Sequence, residues 1–110
     1  MDKFTENGLL YDYYGSLLSK RQREVVSLYY EDNWSLSEIA EEFGISRQGV
    51  HDALHAAEKA LAQYEAKLGL LKKEQERARA LRHVEDLLSA APVKDAWLKD
   101  LSSAVSELKE

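Results

Sequence analysis

A chain of 110 residues with 45% hydrophobic and 32% charged side chains has the size of one domain and is too short for two large independent cores. The absence of cysteine excludes disulfides, thiolate metal sites and thiol nucleophiles. Five glycines and one proline favour helices over strands joined by turns, and the formal net charge of −5 argues against a broadly basic, phosphate-binding surface.

The charge is unevenly distributed along the chain. Residues 1–43 hold nine acids and four bases, whereas residues 62–91 hold five acids and six bases. Residues 1–10 lack the basic start and apolar run of a signal peptide, and no apolar stretch reaches the length of a membrane span. We therefore expect a cytoplasmic protein with an acidic N-terminal face and no membrane contact.

The first predicted element is a tyrosine-rich amphipathic helix, because apolar residues recur at helical spacing from Leu9 to Leu18. Ser19 and Gln22 have the spacing of a capping box, in which a serine and a residue three positions later exchange hydrogen bonds with each other's backbone. This box predicts a second helix that begins after Ser19 and ends near Tyr30.

A second capping box, Ser35 and Glu38, predicts a third helix that begins at Ser35. That helix should end near Phe43, because Gly44 is suited to the left-handed residue that terminates many helices. Ser46 has the position of a third cap, so a further helix should follow a tight turn.

The helical pattern after Ser46 continues to Leu71, and the helix either passes through Gly69 or hinges there. Residues 72–91 predict a long amphipathic helix that ends at Pro92, and a last helix should run from about Lys94 to Leu108. The predicted organisation is a domain of residues 1–71 and a helical extension of residues 72–110 that packs or oligomerises.

The segment from Leu36 to Val50 has the pattern of a helix-turn-helix. Ala40 permits close approach of two helices, and Gly44 supplies the turn between them. The alternative is an ordinary helical hairpin, but the coincidence of the alanine, the glycine and the apolar spacing favours the helix-turn-helix. The predicted fold class is all-α, a helix-turn-helix domain without a wing, followed by long C-terminal helices.

Two resemblances agree with this pattern. Residues 18–61 resemble region 4 of sigma factors, and they read LSKRQREVVSLYYEDNWSLSEIAEEFGISRQGVHDALHAAEKAL. Together with the preceding LLYDYYGSLLS, the chain resembles the YlxM family over most of residues 5–71 and more loosely beyond. This resemblance implies a helix-turn-helix regulatory protein. In many bacteria the family's genes lie beside those of the signal recognition particle, which implies a part in that pathway.

The candidate DNA-binding residues lie on the helix after the turn. Its first turn carries Ser46, Arg47 and Gln48, where a helix entering the major groove presents side chains to base edges. A cationic stripe on the same helix recurs every fourth residue: Arg47, His51, His55 and Lys59. The alternative is a solvated polar face, because Asp52 and Glu58 lie beside the stripe and repel phosphate.

A second basic cluster at the start of helix two consists of Lys20, Arg21 and Arg23, which either contact the duplex backbone or are simply exposed. Cations at a helix start oppose the helix dipole, so their placement is mildly unfavourable for stability. This favours a functional role for the cluster. Sigma factors usually carry arginine near Ala57 and Glu58, and this chain departs from that pattern.

No metal is expected, because His51 and His55 lack a third ligand at suitable spacing. No cofactor or catalytic group is expected either, because the sequence has no readable glycine-rich phosphate loop, serine elbow or pair of catalytic carboxylates. Leu54, Leu61 and Leu68 form a heptad seam that packs on the last helix or joins two chains, and we favour a homodimer. The alternative to a DNA-binding regulator is a protein-interaction module that has kept the fold. RNA binding is a third alternative, but no aromatic residue lies within the stripe.

Overall fold

The structure, a computed structural model, describes residues 1–91 and 95–109, and every regular element in those ranges is helical. This confirms the all-α helix-turn-helix class. The α-helices are α1 (Lys3–Tyr14), α2 (Lys20–Val26), α3 (Leu36–Phe43), α4 (Arg47–Leu68), α5 (Leu70–Ser89) and α6 (Ala96–Glu107). A 3₁₀ turn follows α1 and a π-helical turn follows α2. The chain divides into two compact units, Met1–Leu71 and Lys72–Glu110.

Helix α1 begins earlier and ends earlier than the apolar pattern predicts. Asp2 caps it, because its carboxylate accepts hydrogen bonds from the Thr5 backbone N at 2.8 Å and from the Thr5 hydroxyl at 2.9 Å. These bonds, the backbone one foremost, lower the pKa of Asp2. The α-helix stops at Tyr14 and tightens into the 3₁₀ turn Gly15–Leu17, which changes the helical phase. Leu17 is consequently 53% exposed rather than part of the buried face.

Both predicted capping boxes are confirmed. The Ser19 hydroxyl accepts from the Gln22 backbone N at 3.2 Å, and the Gln22 side chain accepts from the Ser19 backbone N. The Ser35 hydroxyl accepts from the Glu38 backbone N at 3.1 Å, and the Glu38 carboxylate accepts from the Ser35 backbone N at 2.9 Å. The helices therefore begin where the local sequence directs.

Helix α2 does not run unbroken to Tyr30 as the sequence predicts. It changes after Val26 into the π-helical turn Ser27–Glu31, which is wider than an α-helical turn. The chain leaves this turn through Asn33, whose φ of 59° lies in the left-handed region that asparagine tolerates.

The turn of the helix-turn-helix has the geometry that the sequence predicts. Gly44 adopts φ 66° and ψ 33° after the last residue of α3. Ile45 then donates from its backbone N to the Ala40 carbonyl at 3.0 Å, which closes a Schellman motif. The Ser46 hydroxyl accepts from the Gly49 backbone N at 2.9 Å and caps α4.

The core of the first unit lies between α1, α2, α3 and α4. Its fully buried side chains are Tyr14, Val25, Val26, Ile39, Val50, Ala57 and Leu61. Two of the three residues of the heptad seam on α4 belong to this core, because Leu54 and Leu61 cluster with Leu10 of α1 and Val25 of α2. The expectation that the seam packs on the last helix or on a second chain is therefore wrong for Leu54 and Leu61, whereas Leu68 is 48% exposed.

Helix α4 ends at Gly69, where φ is 62°, so the chain does not pass through this glycine as one helix. The corner is held by Tyr14, whose hydroxyl donates to Glu65 Oε1 at 2.7 Å and accepts from the Leu70 backbone N at 3.0 Å. The same Glu65 oxygen accepts from the Leu71 backbone N at 3.1 Å. Burial and the bond to Glu65 raise the pKa of Tyr14.

The second unit contains most of α5 and all of α6. Helix α6 runs from Ala96 to Glu107 with Asp95 at its N-terminal cap position, close to the predicted range. The predicted helix end at Pro92 and the predicted start at Lys94 fall outside the described residues. Across residues 1–91 and 95–109, no helix combines the length and the apolar run that crossing a bilayer requires.

Candidate nucleic-acid interface

The cationic stripe lies on the solvent side of α4. Arg47, His51, His55 and Lys59 are all exposed. The opposite side of the same helix carries the buried residues Val50, Leu54, Ala57 and Leu61. Twelve residues at about 1.5 Å rise place Arg47 and Lys59 about 18 Å apart along the axis. A docked α4 would therefore present positive charge at both ends of its exposed face, on Arg47 and on Lys59.

The two ends of the stripe differ from its middle. Within the part of the chain that the structure describes, no hydrogen bond or ion pair engages the side chains of Arg47 or Lys59. His51 and His55 instead stack on each other, with ring centroids 5.3 Å apart and ring planes 18° apart. The two permanent cations are therefore available to a ligand without breaking an intramolecular contact.

Gln48, the candidate reader of adenine, already has a partner. Its side-chain N donates to Asp52 Oδ1 at 2.9 Å, and the same carboxylate lies 3.5 Å from His51 Nδ1. Ser46 is likewise engaged as the cap of α4. Asp52 thus orients one base-reading candidate, but it also leaves a 69% exposed carboxylate side chain beside the stripe.

Glu58, the second acid expected to repel phosphate, is turned partly inward. Its carboxylate accepts hydrogen bonds from the Tyr30 hydroxyl and from Asn7 Nδ2, the latter at 3.4 Å. Its side chain is only 21% exposed, and its other oxygen lies 3.7 Å from His55 Nδ1. Burial and the bond to Glu58 raise the pKa of Tyr30. Hydrogen bonds and partial burial therefore reduce the acidic face that Glu58 presents to a ligand.

The cluster on α2 is divided among three environments. Arg21 places its guanidinium 4.4 Å from the centroid of the Phe43 ring, in a cation–π contact with the last residue of α3. Lys20 lies 4.0 Å from Glu24, an exposed pair of little energetic weight. Lys20 and Arg23 both line an open groove of about 570 Å³, together with Trp34 and Phe43. The cluster therefore borders α3, the first helix of the helix-turn-helix.

Sequence reasoning missed the groups that hold α4 in place. Asn7 is buried on α1 and donates from Nδ2 to the Tyr30 hydroxyl at 3.1 Å, so Asn7, Tyr30 and Glu58 link α1, the π-helical turn and α4. The available signal was a polar residue on an apolar stripe, because Asn7 shares its helical face with Leu10 and Tyr14. Nothing in the sequence pointed to Tyr30 as its partner.

Across the described ranges, no three histidine or carboxylate side chains come together as a metal-binding group. The stacked histidine rings, with Asp52 beside His51 and Glu58 beside His55, leave the stripe as a surface of charge and hydrogen-bonding groups.

Comparison with known proteins identifies one family over most of the chain. The family described as "Putative helix-turn-helix protein, YlxM / p13 like" matches residues 1–101. The chain is 44% identical over 108 residues to a UPF0122 protein of Bacillus mycoides (strain KBAB4), with 98% of each chain covered. UPF0122 proteins of Bacillus cereus (strain AH187) and Bacillus anthracis (strain A0248) are each 43% identical over the same share of both chains.

Proposed function

This chain belongs to the UPF0122 family of YlxM/p13-like helix-turn-helix proteins, and from that premise we propose that it is a DNA-binding regulatory protein. The observation that carries the proposal is the exposed stripe on α4, whose terminal cations Arg47 and Lys59 are unengaged within the described residues. In helix-turn-helix proteins the second helix enters the major groove, and α4 holds that position after the Gly44 turn.

The proposed contacts follow from the chemistry of each side chain. Arg47, in the first turn of α4, is suited to the O6 and N7 acceptors of guanine. Gln48 is suited to adenine, and reading it requires that its amide shares or leaves the bond to Asp52. Lys59 lies farther along the helix and would contact phosphate, which positions the helix without reading sequence.

The α2 cluster supplies the second set of contacts in this proposal. Lys20 and Arg23 border the start of the helix-turn-helix and would hold the duplex backbone beside the groove. Arg21 would contribute positive charge from its position on the Phe43 ring. With a net charge of −5 on the whole chain, we expect weak affinity that depends steeply on salt.

We extend the proposal to the partners that the resemblance and the docking mode suggest. A homodimer would present two copies of α4 to neighbouring turns of one duplex, as helix-turn-helix dimers do. A part in the signal recognition particle pathway rests on the gene neighbourhood that the YlxM resemblance implies. The proposal is of a binding protein of the cytoplasm and not of an enzyme.

A protein-interaction module is the second candidate function. The observation that favours it is Asp52, an exposed carboxylate beside the stripe, in a chain whose N-terminal part is acidic. A basic protein surface would accept this combination better than phosphate would. In that case the helix-turn-helix scaffold would be kept while its DNA affinity is low.

The test compares binding of the full chain to mixed genomic DNA fragments at low salt with that of two double variants. Arg47→Ala with Lys59→Ala removes both ends of the stripe. Lys3→Ala with Lys67→Ala removes the same charge from exposed positions of the first unit and serves as the matched control. The proposal predicts that the stripe variant loses binding and that the control retains most of it.

Equal binding by the two variants would show that only net charge matters and would overturn the recognition role of α4. An absence of binding by the wild-type protein at low salt would favour the protein-interaction module. Circular dichroism of each variant checks that these exposed substitutions leave the helices intact.

A further inference from the structure

The second unit leaves most of its large apolar side chains in contact with solvent. Its described apolar residues that are buried are Leu98 and Val105, both on α6. The exposed ones are Val84 at 38%, Leu87 at 60%, Trp97 at 63%, Leu101 at 43% and Leu108 at 56%. A pair of helices with so small an interior is too small to be stable by its own packing.

The two helices of this unit are antiparallel. The middle of α5 lies near the end of α6, because Arg77 donates to the Leu108 carbonyl at 3.3 Å and Lys109 Nζ lies 3.1 Å from Glu85 Oε2. The end of α5 lies near the start of α6, where Leu88 and Leu98 line one cavity. These contacts define the side of α5 that faces α6 and the side of α6 that faces α5.

The exposed apolar residues form one stripe on each helix. At about 100° per residue, Ala80, Val84 and Leu87 fall within about 60° on α5. Four residues of α6 fall within a similar arc: Trp97, Leu101, Ala104 and Leu108. On each helix, the stripe lies about 80° to 110° around the helix axis from the side that contacts the other helix. The direction of this rotation is the same on both helices. In antiparallel helices this brings both stripes to the same face of the pair, which we call the hairpin face.

We propose that a second copy of this chain covers the hairpin face, so that two helix pairs form a four-helix bundle. Covering the stripes would remove about 500 Å² from each copy and about 1,000 Å² in total, which reaches the size of the smaller specific interfaces. A two-fold symmetric contact is self-complementary, so one apolar face is sufficient for both partners. The core of such a bundle comes from the facing stripes.

The charges around the hairpin face select one arrangement. Residues 72–82 hold five bases and two acids, and Arg79 flanks the α5 stripe at the level of the end of α6. Asp100 and Glu107 border the α6 stripe. If each α5 lies across the α6 of the other copy, Arg79 of one copy lies level with Glu107 of the other, on the same side of the bundle. Opposite charges then meet on both sides of the two-fold axis, which favours a second copy of this chain as the occupant.

This inference rests on the proposed function in one respect, namely that the dimer would bring two recognition helices to one duplex. Its contact surface is tested without DNA. Failure of dimerisation leaves DNA binding by a single α4 untouched, and failure of DNA binding leaves the mass of the dimer untouched.

The experiment measures the molar mass of the full chain by light scattering and sedimentation from low to high micromolar concentration. The wild-type protein should reach twice the 12.5 kDa mass of one chain. Trp97→Glu with Leu87→Glu should give the mass of one chain with unchanged helix content, because both side chains are exposed. The matched control, Leu17→Glu with Leu68→Glu, places the same charges on exposed leucines of the first unit and should remain a dimer.

A charge exchange tests the arrangement independently of the apolar residues. Arg79→Glu should weaken the dimer several-fold, and adding Glu107→Arg should restore most of the loss, because the pair occurs twice in a symmetric dimer. A wild-type protein that stays a single chain at every concentration would overturn the proposal. So would a dimer that persists in the Trp97 and Leu87 variant, or one that is lost in the control.

Discussion

Replacing Tyr30 by phenylalanine tests the hydrogen-bonded link that holds the recognition helix. The change removes one oxygen atom and leaves the ring, which packs 4.8 Å from the Phe4 ring and 5.1 Å from the Tyr29 ring. The lost oxygen donates to the carboxylate of Glu58 and accepts from Asn7 at 3.1 Å. The substitution therefore breaks two hydrogen bonds and leaves the apolar packing in place.

The expected cost follows from the two bonds and their exposure. A hydrogen bond to a charged group contributes about 1.5 to 3 kcal/mol, and a neutral one about 1 kcal/mol. Glu58 is 21% exposed, so water can replace part of what the carboxylate loses. We expect Tyr30→Phe to lower the free energy of unfolding by about 1 to 2 kcal/mol, or roughly 4 °C or more in Tm.

The assay is urea unfolding followed by circular dichroism, with Tyr29→Phe as the matched control. Tyr29 is the neighbouring tyrosine of the same turn, and within the described residues its hydroxyl makes no hydrogen bond. The control should change the free energy of unfolding by less than about 0.5 kcal/mol. Equal effects of the two substitutions would refute the reasoning, because the loss would then not come from the bonded hydroxyl.

The same pair of proteins gives a pH dependence with a defined sign. Since the pKa of Tyr30 is raised in the folded state, its contribution is fully present below about pH 10, where tyrosine of the unfolded chain stays protonated. The contribution is lost as the pH rises above that value, because the unfolded chain ionises first. The stability difference between wild type and Tyr30→Phe should therefore shrink above about pH 10. A constant difference would contradict the assignment.

Three further substitutions test the turn, a cap and the stripe. Gly44→Ala should destabilise the protein by about 1 kcal/mol, because φ at this residue is 66°. Gly8→Ala, in the interior of α1, should instead stabilise it by about 0.5 to 1 kcal/mol. Thermal unfolding of the two variants shows whether the signs differ. Ser35→Ala should lower the free energy of unfolding by about 1 kcal/mol, because the helix loses its cap, and Ser37→Ala should lower it much less. Equal losses of the two variants in urea unfolding would argue against the capping box. Asp52→Asn should strengthen DNA binding a few-fold at low salt, since it removes an exposed carboxylate beside the stripe, and an unchanged Kd would argue against docking of that face.

The parts of the fold that local sequence determines were predictable. The capping pairs of Ser19 and Ser35 each need only residues within one helical turn, and Gly44 needs only its own backbone freedom. These signals fix where helices begin and end without reference to the rest of the chain. The order of helices and the helix-turn-helix followed from them.

The parts that depend on distant residues were not predictable. The π-helical turn has no local signature, and its consequence, the contact of Tyr30 with Asn7 and Glu58, joins residues far apart in the chain. The seam on α4 was assigned to the wrong partner because periodicity shows that a face is apolar and does not show what covers it. In the structure α1 and α2 cover Leu54 and Leu61.

The candidate site was predictable as a list of residues and not as an arrangement. The four-residue spacing from Arg47 to Lys59 was sufficient to place a stripe on one helical face, and the structure describes all four residues as exposed. Which of them already have partners is a tertiary property. The bond from Gln48 to Asp52 and the stack of Arg21 on Phe43 could be found only in the folded chain.

The salt dependence of DNA binding tests the central claim most directly. Binding to one duplex should be measured by fluorescence anisotropy over a range of salt concentrations for the wild type and for Arg47→Ala with Lys59→Ala. If both side chains contact DNA and displace counterions, the slope of log Kobs against log salt should be shallower by about 1 to 2 in the variant. The Lys3→Ala, Lys67→Ala control should keep the wild-type slope. Parallel lines for all three proteins would contradict the claim that α4 is the DNA-reading helix.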